Sequence, residues 1–131
     1  MVSPVPPVPQ PLAGLSRDQL VAASAGWLAA YLNLHGMGLG YIYQRRWGAF
    51  WIGGAAAVGA SVLLAGASAL LVNNLPPAQR PQSPEEQNLW VGGAAALGGY
   101  AGVFAVGVGS AVEAGLAVNR ARRRLQSPAG I

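Results

Sequence analysis

The chain has 131 residues, of which 53% are hydrophobic and only 9% are charged, whereas about a quarter of the residues of a soluble domain carry a charge. This composition excludes an ordinary soluble protein and favours a membrane protein. The net charge of +4 comes from eight arginines, four of them at positions 120–124, and such a local patch argues against nucleic acid binding. The absence of cysteine excludes disulfides and cysteine-bound metals.

Residues 1–15 are predicted to form a proline-rich, disordered tail. No positive charge occurs within the first eleven residues, so the segment lacks the basic region of a secretory signal peptide. A first membrane helix is predicted over about 18–39, because Ser16 can cap it and Gln19 can complete a capping box. Ser24 and Asn33 make this helix only weakly hydrophobic, so it either spans the membrane or lies partly in the interface.

Residues 33–54 join the first predicted helix to the second, and we call this stretch the elbow. Closely spaced glycines suit a sharp turn or a close backbone approach, while tyrosine, tryptophan and arginine favour the boundary between hydrocarbon and water. The elbow is therefore predicted to lie at the membrane interface. Its residues of interest are Gly36, Gly38, Gly40, Tyr41, Tyr43, Arg45, Arg46, Trp47 and Trp51. The chain has no second histidine and no cysteine that could help the neighbouring His35 to bind a metal or a cofactor, so neither is predicted.

Two further segments are long enough to cross a hydrocarbon core, which takes about 20 apolar residues. The second predicted helix covers about 48–72 and completes a helical hairpin within residues 16–72. A proline-rich extramembrane loop follows at 73–88. A third membrane helix is predicted over about 89–118, and it continues to residue 125 as an arginine-rich end before a short tail at 126–131. The predicted fold class is thus an all-α membrane protein with short loops.

Small residues recur at the spacing that lets membrane helices approach closely. They lie on one side of the second segment and on one side of the third: Ala55, Gly59 and Gly66, and Gly98, Gly102 and Gly109. Packing within the chain is the simplest use of these two faces. Contacts between copies of the chain and docking into a larger membrane complex are the alternatives.

The arginines predict how the chain is oriented. The elbow carries two of them and the C-terminal end carries Arg120, Arg122, Arg123 and Arg124, whereas the loop at 73–88 has one arginine against two glutamates. Because positive charge is enriched on the cytoplasmic side, the elbow and the C-terminus are predicted to be cytoplasmic. The terminal arginines could also attract anionic lipid headgroups. Glu113, an acid in an apolar segment, is predicted to pair with a nearby arginine.

The sequence from His35 to Arg46, H-G-M-G-L-G-Y-I-Y-Q-R-R, resembles the signature of the TM-two domain family, approximately G-G-F-G-x-H-R-F-Y-L-G-R. Gly36 and Gly38 match the family's glycines and Arg46 matches its closing arginine. Gly40 and Tyr41 stand where the family has His-Arg. The resemblance covers residues 18–72, and it implies a hairpin of two membrane helices and no general enzymatic activity.

No Ser-His-Asp, paired-carboxylate or metal-ligand arrangement can be assembled from four acids and one histidine, so the chain is not predicted to be an enzyme. The predicted function is that of a non-enzymatic accessory, scaffold or assembly subunit. Its predicted partners are the lipid bilayer and either other membrane proteins or further copies of the chain. An oligomeric, holin-like pore-former is the alternative, and it would make reconstituted liposomes leak.

Overall fold

The computed structural model describes residues 14–35 and 38–127, which form helices joined by short turns. The helices are α1 (Arg17–Ala23), α2 (Gly26–His35), α3 (Leu39–Tyr43), α4 (Trp47–Asn73) and α5 (Pro84–Gln126), with a 3-10 turn at Pro77–Gln79. No β-strand occurs in these two ranges. The prediction of an all-α protein is confirmed.

α1 begins at the capping residues that the sequence indicates. The Ser16 hydroxyl accepts from the Gln19 N–H at 3.3 Å, and the Gln19 side chain accepts from the Ser16 N–H at 2.7 Å. The helix ends at Ala23 because Ser24 adopts an extended backbone conformation, and its hydroxyl donates to the Val21 carbonyl at 2.7 Å. A side-chain hydroxyl that bonds to a nearby carbonyl competes with continued helix.

The single first membrane helix predicted over about 18–39 is therefore replaced by two short helices, α1 and α2, and the short α3 begins at residue 39. The longest, α2, has 10 residues and is about 15 Å long, half of a hydrocarbon core of roughly 30 Å. α3 follows a turn at Gly38, whose φ of +103° lies in the left-handed region that glycine adopts at little cost. Within the described residues, two helices, α4 and α5, are long and apolar enough to cross a membrane.

α4 and α5 expose most of their apolar surface. They have 27 and 43 residues, which correspond to about 40 Å and about 65 Å of helix. Only 6% and 22% of their most apolar windows are buried inside the protein, whereas the core helix of a soluble protein would be mostly buried. Large exposed apolar faces of this kind support a membrane environment.

α5 begins at Pro84, before the predicted position of about 89. Ser83 caps the helix by accepting a hydrogen bond from the Glu86 N–H at 3.1 Å, and Pro84 occupies the first turn, where a missing N–H is tolerated. The loop between α4 and α5 is correspondingly shorter than predicted.

α5 is the helix against which the other helices pack. Its first half runs antiparallel to α4, and its second half runs antiparallel to α1 and α2. The pairs that define this arrangement are Asn73–Gln87 and Ala60–Gly102 for α4, Gly26–Val118 and Leu34–Gly107 for α2, and Ala22–Arg122 for α1. The predicted pairing of segment 18–39 with segment 48–72 thus differs from the observed fold, in which α2 and α4 pack on different stretches of α5.

Candidate functional site

A group of polar side chains gathers where α2, α3, the start of α4 and the second half of α5 meet. We call it the elbow cluster, and it consists of Asn33, Tyr41, Gln44, Arg46, Glu113 and Arg120. The close approach of α3 to α2 brings these side chains together. Gly40 lies so near the Ala29 carbonyl that a Cβ at this position would overlap it, so glycine is required here.

Asn33 is completely buried although it lies in a mainly apolar helix. Its Nδ2 donates to the Ser110 carbonyl at 3.0 Å, and its Oδ1 accepts from the Tyr41 N–H at 3.1 Å. A buried polar group without such partners would cost about 1–3 kcal/mol. This one amide therefore links α2, α3 and α5.

Gln44, which follows the last residue of α3, is also almost fully buried. Its Nε2 donates to the Ala114 carbonyl at 3.1 Å and to the Ser24 hydroxyl at 3.4 Å, while its Oε1 accepts from Arg46 at 3.5 Å. The side chain thus connects the break between α1 and α2 to α5.

Glu113 is held by two arginines. Arg46, just before α4, donates from both terminal nitrogens to the two carboxylate oxygens at 2.8 Å each, and Arg120 donates to Oε1 at 2.8 Å. The side chains of Arg46 and Glu113 are only 14% and 34% exposed, so this forked pair is better shielded from water than a surface pair. Hydrogen bonding to the carboxylate raises the pKa of Arg46 above its ordinary value. The ion pair predicted for Glu113 thus has two partners.

Tyr41 is wedged between α4 and α5. Its hydroxyl donates to the Ser110 carbonyl at 3.4 Å, and its ring lies against Gly53, where a Cβ would be 3.3 Å from the ring edge. The guanidinium carbon of Arg46 lies 5.3 Å from the ring centre, within cation–π distance. Burial, reinforced by the charge of Glu113, raises the pKa of Tyr41 to about 12, so the phenol remains neutral at physiological pH.

The other predicted elbow residues surround the cluster. The Tyr43 hydroxyl accepts a hydrogen bond from the backbone at the α1–α2 break at 3.3 Å. Arg45 is exposed and has a φ of 55°. Trp47 and Trp51 are exposed on the first turns of α4, a position that suits an aromatic belt at a membrane interface. Gly36 lies outside the described residues.

The two predicted small-residue faces differ in their contacts. Gly98 and Gly102 lie in the α4–α5 contact, where a Cβ on either would overlap backbone atoms of α4, and Gly99 lies there as well. Open space surrounds the residues that remain: a Cβ at Gly59, Gly66 or Gly109 would meet nothing within 4 Å, and Ala55 is exposed. The α5 face therefore serves packing within the chain in part, whereas the α4 face with Ala55, Gly59 and Gly66 is uncovered.

Three of the four C-terminal arginines contact other parts of the chain. Arg120 belongs to the elbow cluster, Arg122 donates to a backbone carbonyl of α1 at 3.1 Å, and Arg124 lies 3.7 Å from the Asp18 carboxylate. Arg123 is exposed. The contacts of Arg122 and Arg124 join α1 to the end of α5, a role that the sequence did not indicate.

A groove of about 1060 Å³ opens beside the elbow cluster, between α4, α5 and the last turn of α2. We call it the α4–α5 groove. Its lining has no charged side chain; small and valine residues form much of it, and Phe50, Trp51, Tyr100 and Phe104 contribute aromatic surface. Tyr41 lines both this groove and a smaller cavity of about 390 Å³ next to the ion pair. The groove depends on where α2 ends, so the sequence did not predict it.

The elbow cluster holds helices together through hydrogen bonds and ion pairs. None of the buried side-chain nitrogen or oxygen atoms in the described part of the chain lacks a hydrogen-bond partner. Across the same residues, no group of three or more His, Asp or Glu side chains is placed to hold a metal ion. Sequence reasoning missed the roles of Gln44 and Ser110. Ser110 contributes its backbone carbonyl, which accepts from Asn33 and Tyr41 and which no residue type indicates.

No curated protein and no solved structure matches the chain significantly. One family model does match it, over residues 19–130, which is most of its length. That family is not the TM-two domain family, so the resemblance drawn from His35 to Arg46 is wrong: a short glycine-rich stretch, with Gly40 and Tyr41 in place of His-Arg, was too little to identify a family. The chain belongs to the family described as Domain of unknown function (DUF8646).

Proposed function

We propose that this protein crosses a membrane with α4 and α5 and acts there as a non-enzymatic scaffold, accessory or assembly subunit. Both helices are long and apolar enough to cross a bilayer. A hydrocarbon core of roughly 30 Å accommodates only about half of the 65 Å or so of α5. Because α4 pairs with the first half of α5, the second half emerges from the membrane together with α1.

The arginines support a cytoplasmic position for the emerging end. All of them except Arg80 lie at this end of the molecule, whereas Arg80 lies at the opposite end with Glu85 and Glu86. Cytoplasmic segments are enriched in arginine. α2 then lies at the cytoplasmic interface, where its exposed Trp27 and Tyr31 suit the headgroup region. In this arrangement the elbow and the C-terminus are cytoplasmic and the first segment does not span the bilayer.

The observation that carries the assembly role is the uncovered face of α4, on which Gly66 lies outside the α4–α5 groove, whereas Ala55 and Gly59 line that groove. α4 contacts α5 through a different side, which includes Ala60 and Leu64. Helices associate in lipid through close van der Waals packing, which small residues permit. We infer that the part of this face around Gly66 receives a helix from another membrane protein or from a second copy of the chain.

The alternative of a pore has less support. A water-filled pore requires polar lining, but the two serines of α4, Ser61 and Ser68, lie against glycines of α5. The acid of the elbow cluster is also paired with arginines. A scaffold should leave reconstituted liposomes tight to a trapped dye, whereas a pore should release it.

The assembly role can be tested by site-directed cross-linking, which the absence of native cysteine makes specific. Gly66→Cys and the control Gly93→Cys each replace an exposed glycine with open space around it. Each variant is labelled with a benzophenone maleimide and illuminated in native membranes. We expect protein adducts from position 66 and few from position 93. Recovery of monomers alone from both variants would refute the assembly role.

A further inference from the structure

We propose that the α4–α5 groove binds one acyl chain of an anionic phospholipid from the cytoplasmic leaflet. The inference relies on the membrane placement proposed above. It adds a lipid site at the cytoplasmic half of α4, whereas the assembly test addresses Gly66 in the other half.

The length of the groove matches one leaflet. Its lining runs from Phe50 to Val62 along α4 and from Ser110 to Tyr100 along α5. The stretch on α4 is about 18 Å long, close to half of a hydrocarbon core of roughly 30 Å. A chain that ends near the midplane, such as a lipid acyl chain, needs only this half.

The lining of the groove favours hydrocarbon over water. The uncharged walls consist mainly of small, valine and aromatic residues, and Leu34 and His35 in the last turn of α2 border the cytoplasmic end. Gly54, Gly59 and Gly107 leave room between the helices. A water molecule needs two to four polar partners to be held in a cavity, which such walls do not supply along most of their length. An acyl chain requires no polar partners.

An excess of positive charge lies next to the cytoplasmic end of the groove, at the smaller cavity that Arg46 and Glu113 line and that shares Tyr41 with the groove. Arg46 and Arg120 surround the single carboxylate of Glu113, and the exposed Arg45 precedes them at the start of α4. Tyr41 lines the groove and holds the Arg46 guanidinium against its ring. A basic residue near the membrane surface contributes about 1 kcal/mol of attraction to anionic lipid, which is about fivefold in affinity. The charge at this end therefore selects an anionic headgroup.

The test uses the full chain in phosphatidylcholine vesicles that contain a small fraction of phosphatidylglycerol with a diazirine in its acyl chain. After illumination, the cross-linked positions are mapped by mass spectrometry. We expect them to concentrate on groove residues such as Val58 and Phe104, and unlabelled phosphatidylglycerol should compete better than phosphatidylcholine. Cross-links spread evenly over exposed residues outside the groove, such as Leu63 and Leu71, would overturn the proposal, as would equal competition by the two lipids.

Two variants and a control sharpen the test. Gly54→Leu places a side chain in the groove where nothing lies within 4 Å, so it should abolish groove cross-linking without disturbing the helices. The control Gly93→Leu also fills open space but lies outside the groove, and it should behave as the wild type. Arg45→Asn tolerates the left-handed backbone and should reduce the preference for the anionic lipid about fivefold. Unchanged groove cross-linking in Gly54→Leu would overturn the proposal.

The outcomes separate this inference from the proposed function. If the lipid cross-links are evenly spread while position 66 still yields protein adducts, the lipid site is wrong and the scaffold role stands. If position 66 yields no adduct while groove cross-linking is intact, the scaffold role is wrong and the lipid site stands. Absence of any lipid cross-link would overturn both the site and the membrane placement.

Discussion

The ion pair in the elbow cluster gives the most direct test of how the helices are held together. Glu113→Gln preserves the shape of the side chain but removes the charge that accepts three hydrogen bonds of 2.8 Å. It leaves Arg46 and Arg120 facing each other without an anion between them. Loss of one partner of a fully buried pair costs about 3–5 kcal/mol, but Glu113 is 34% exposed and solvent screening reduces the loss. We therefore expect destabilisation by about 2–3 kcal/mol.

The measurement is chemical unfolding of the purified protein in mild detergent micelles, followed by far-ultraviolet circular dichroism. A double-mutant cycle with Arg46→Gln should give a coupling energy of about 1–3 kcal/mol. Glu85→Gln, which changes an exposed acid in the first turn of α5, is the control and should cost no more than about 1 kcal/mol. If Glu113→Gln costs no more than this control, or if the two mutations at the pair are additive, the ion pair does not hold the helices together.

Three further predictions concern the packing around the cluster. Asn33→Leu should destabilise the fold by about 2 kcal/mol because it removes two buried hydrogen bonds, and an unchanged unfolding midpoint would contradict this. Gly102→Ala should cost about 1–3 kcal/mol because its methyl group overlaps the α4 backbone, whereas Gly109→Ala meets open space and should be neutral or stabilising; equal effects on unfolding would contradict the packing. Stability should also fall as the pH rises from about 10 through about 12, because the phenol of Tyr41 binds its proton more tightly in the folded state than in the unfolded state, where its pKa is near 10.0. Tyr41→Phe should remove this component of the pH dependence of unfolding, and persistence of the full dependence would contradict it.

The long helices could be predicted because their determinants are local. Neither α4 nor residues 89–112 of α5 contain a charged residue, although the prediction started α5 at about 89 and missed the cap formed by Ser83 and Pro84. The break after Ala23 could not be predicted in this way. A serine is compatible with a membrane helix, and what distinguishes Ser24 is the hydrogen bond from Gln44, which depends on how α3 folds back.

The candidate site could be predicted only in part. An acid in an apolar segment needs a cation, so pairing of Glu113 with an arginine followed from its position alone. That Arg46 forms the forked pair depends on α4 starting beside the second half of α5, which no local pattern encodes. The uncovered α4 face and the packed α5 face also have the same spacing of small residues. Spacing shows that a helix can be approached closely but does not show which helix approaches it.

Tyr41 provides a physical connection between the elbow cluster and the α4–α5 groove. Its ring lines the groove, its hydroxyl donates to the Ser110 carbonyl, and the Arg46 guanidinium lies over the face of the ring. The ion pair between Arg46 and Glu113 therefore helps to hold the ring in place. If a lipid binds the groove in this arrangement, binding and the integrity of the ion pair must be thermodynamically linked, and the linkage is reciprocal. Added phosphatidylglycerol should then raise the unfolding midpoint of the wild type more than that of Glu113→Gln in detergent micelles. Equal shifts in the two proteins would show that the ring position does not depend on the pair, and the elbow cluster would then fasten the helices without influencing the groove.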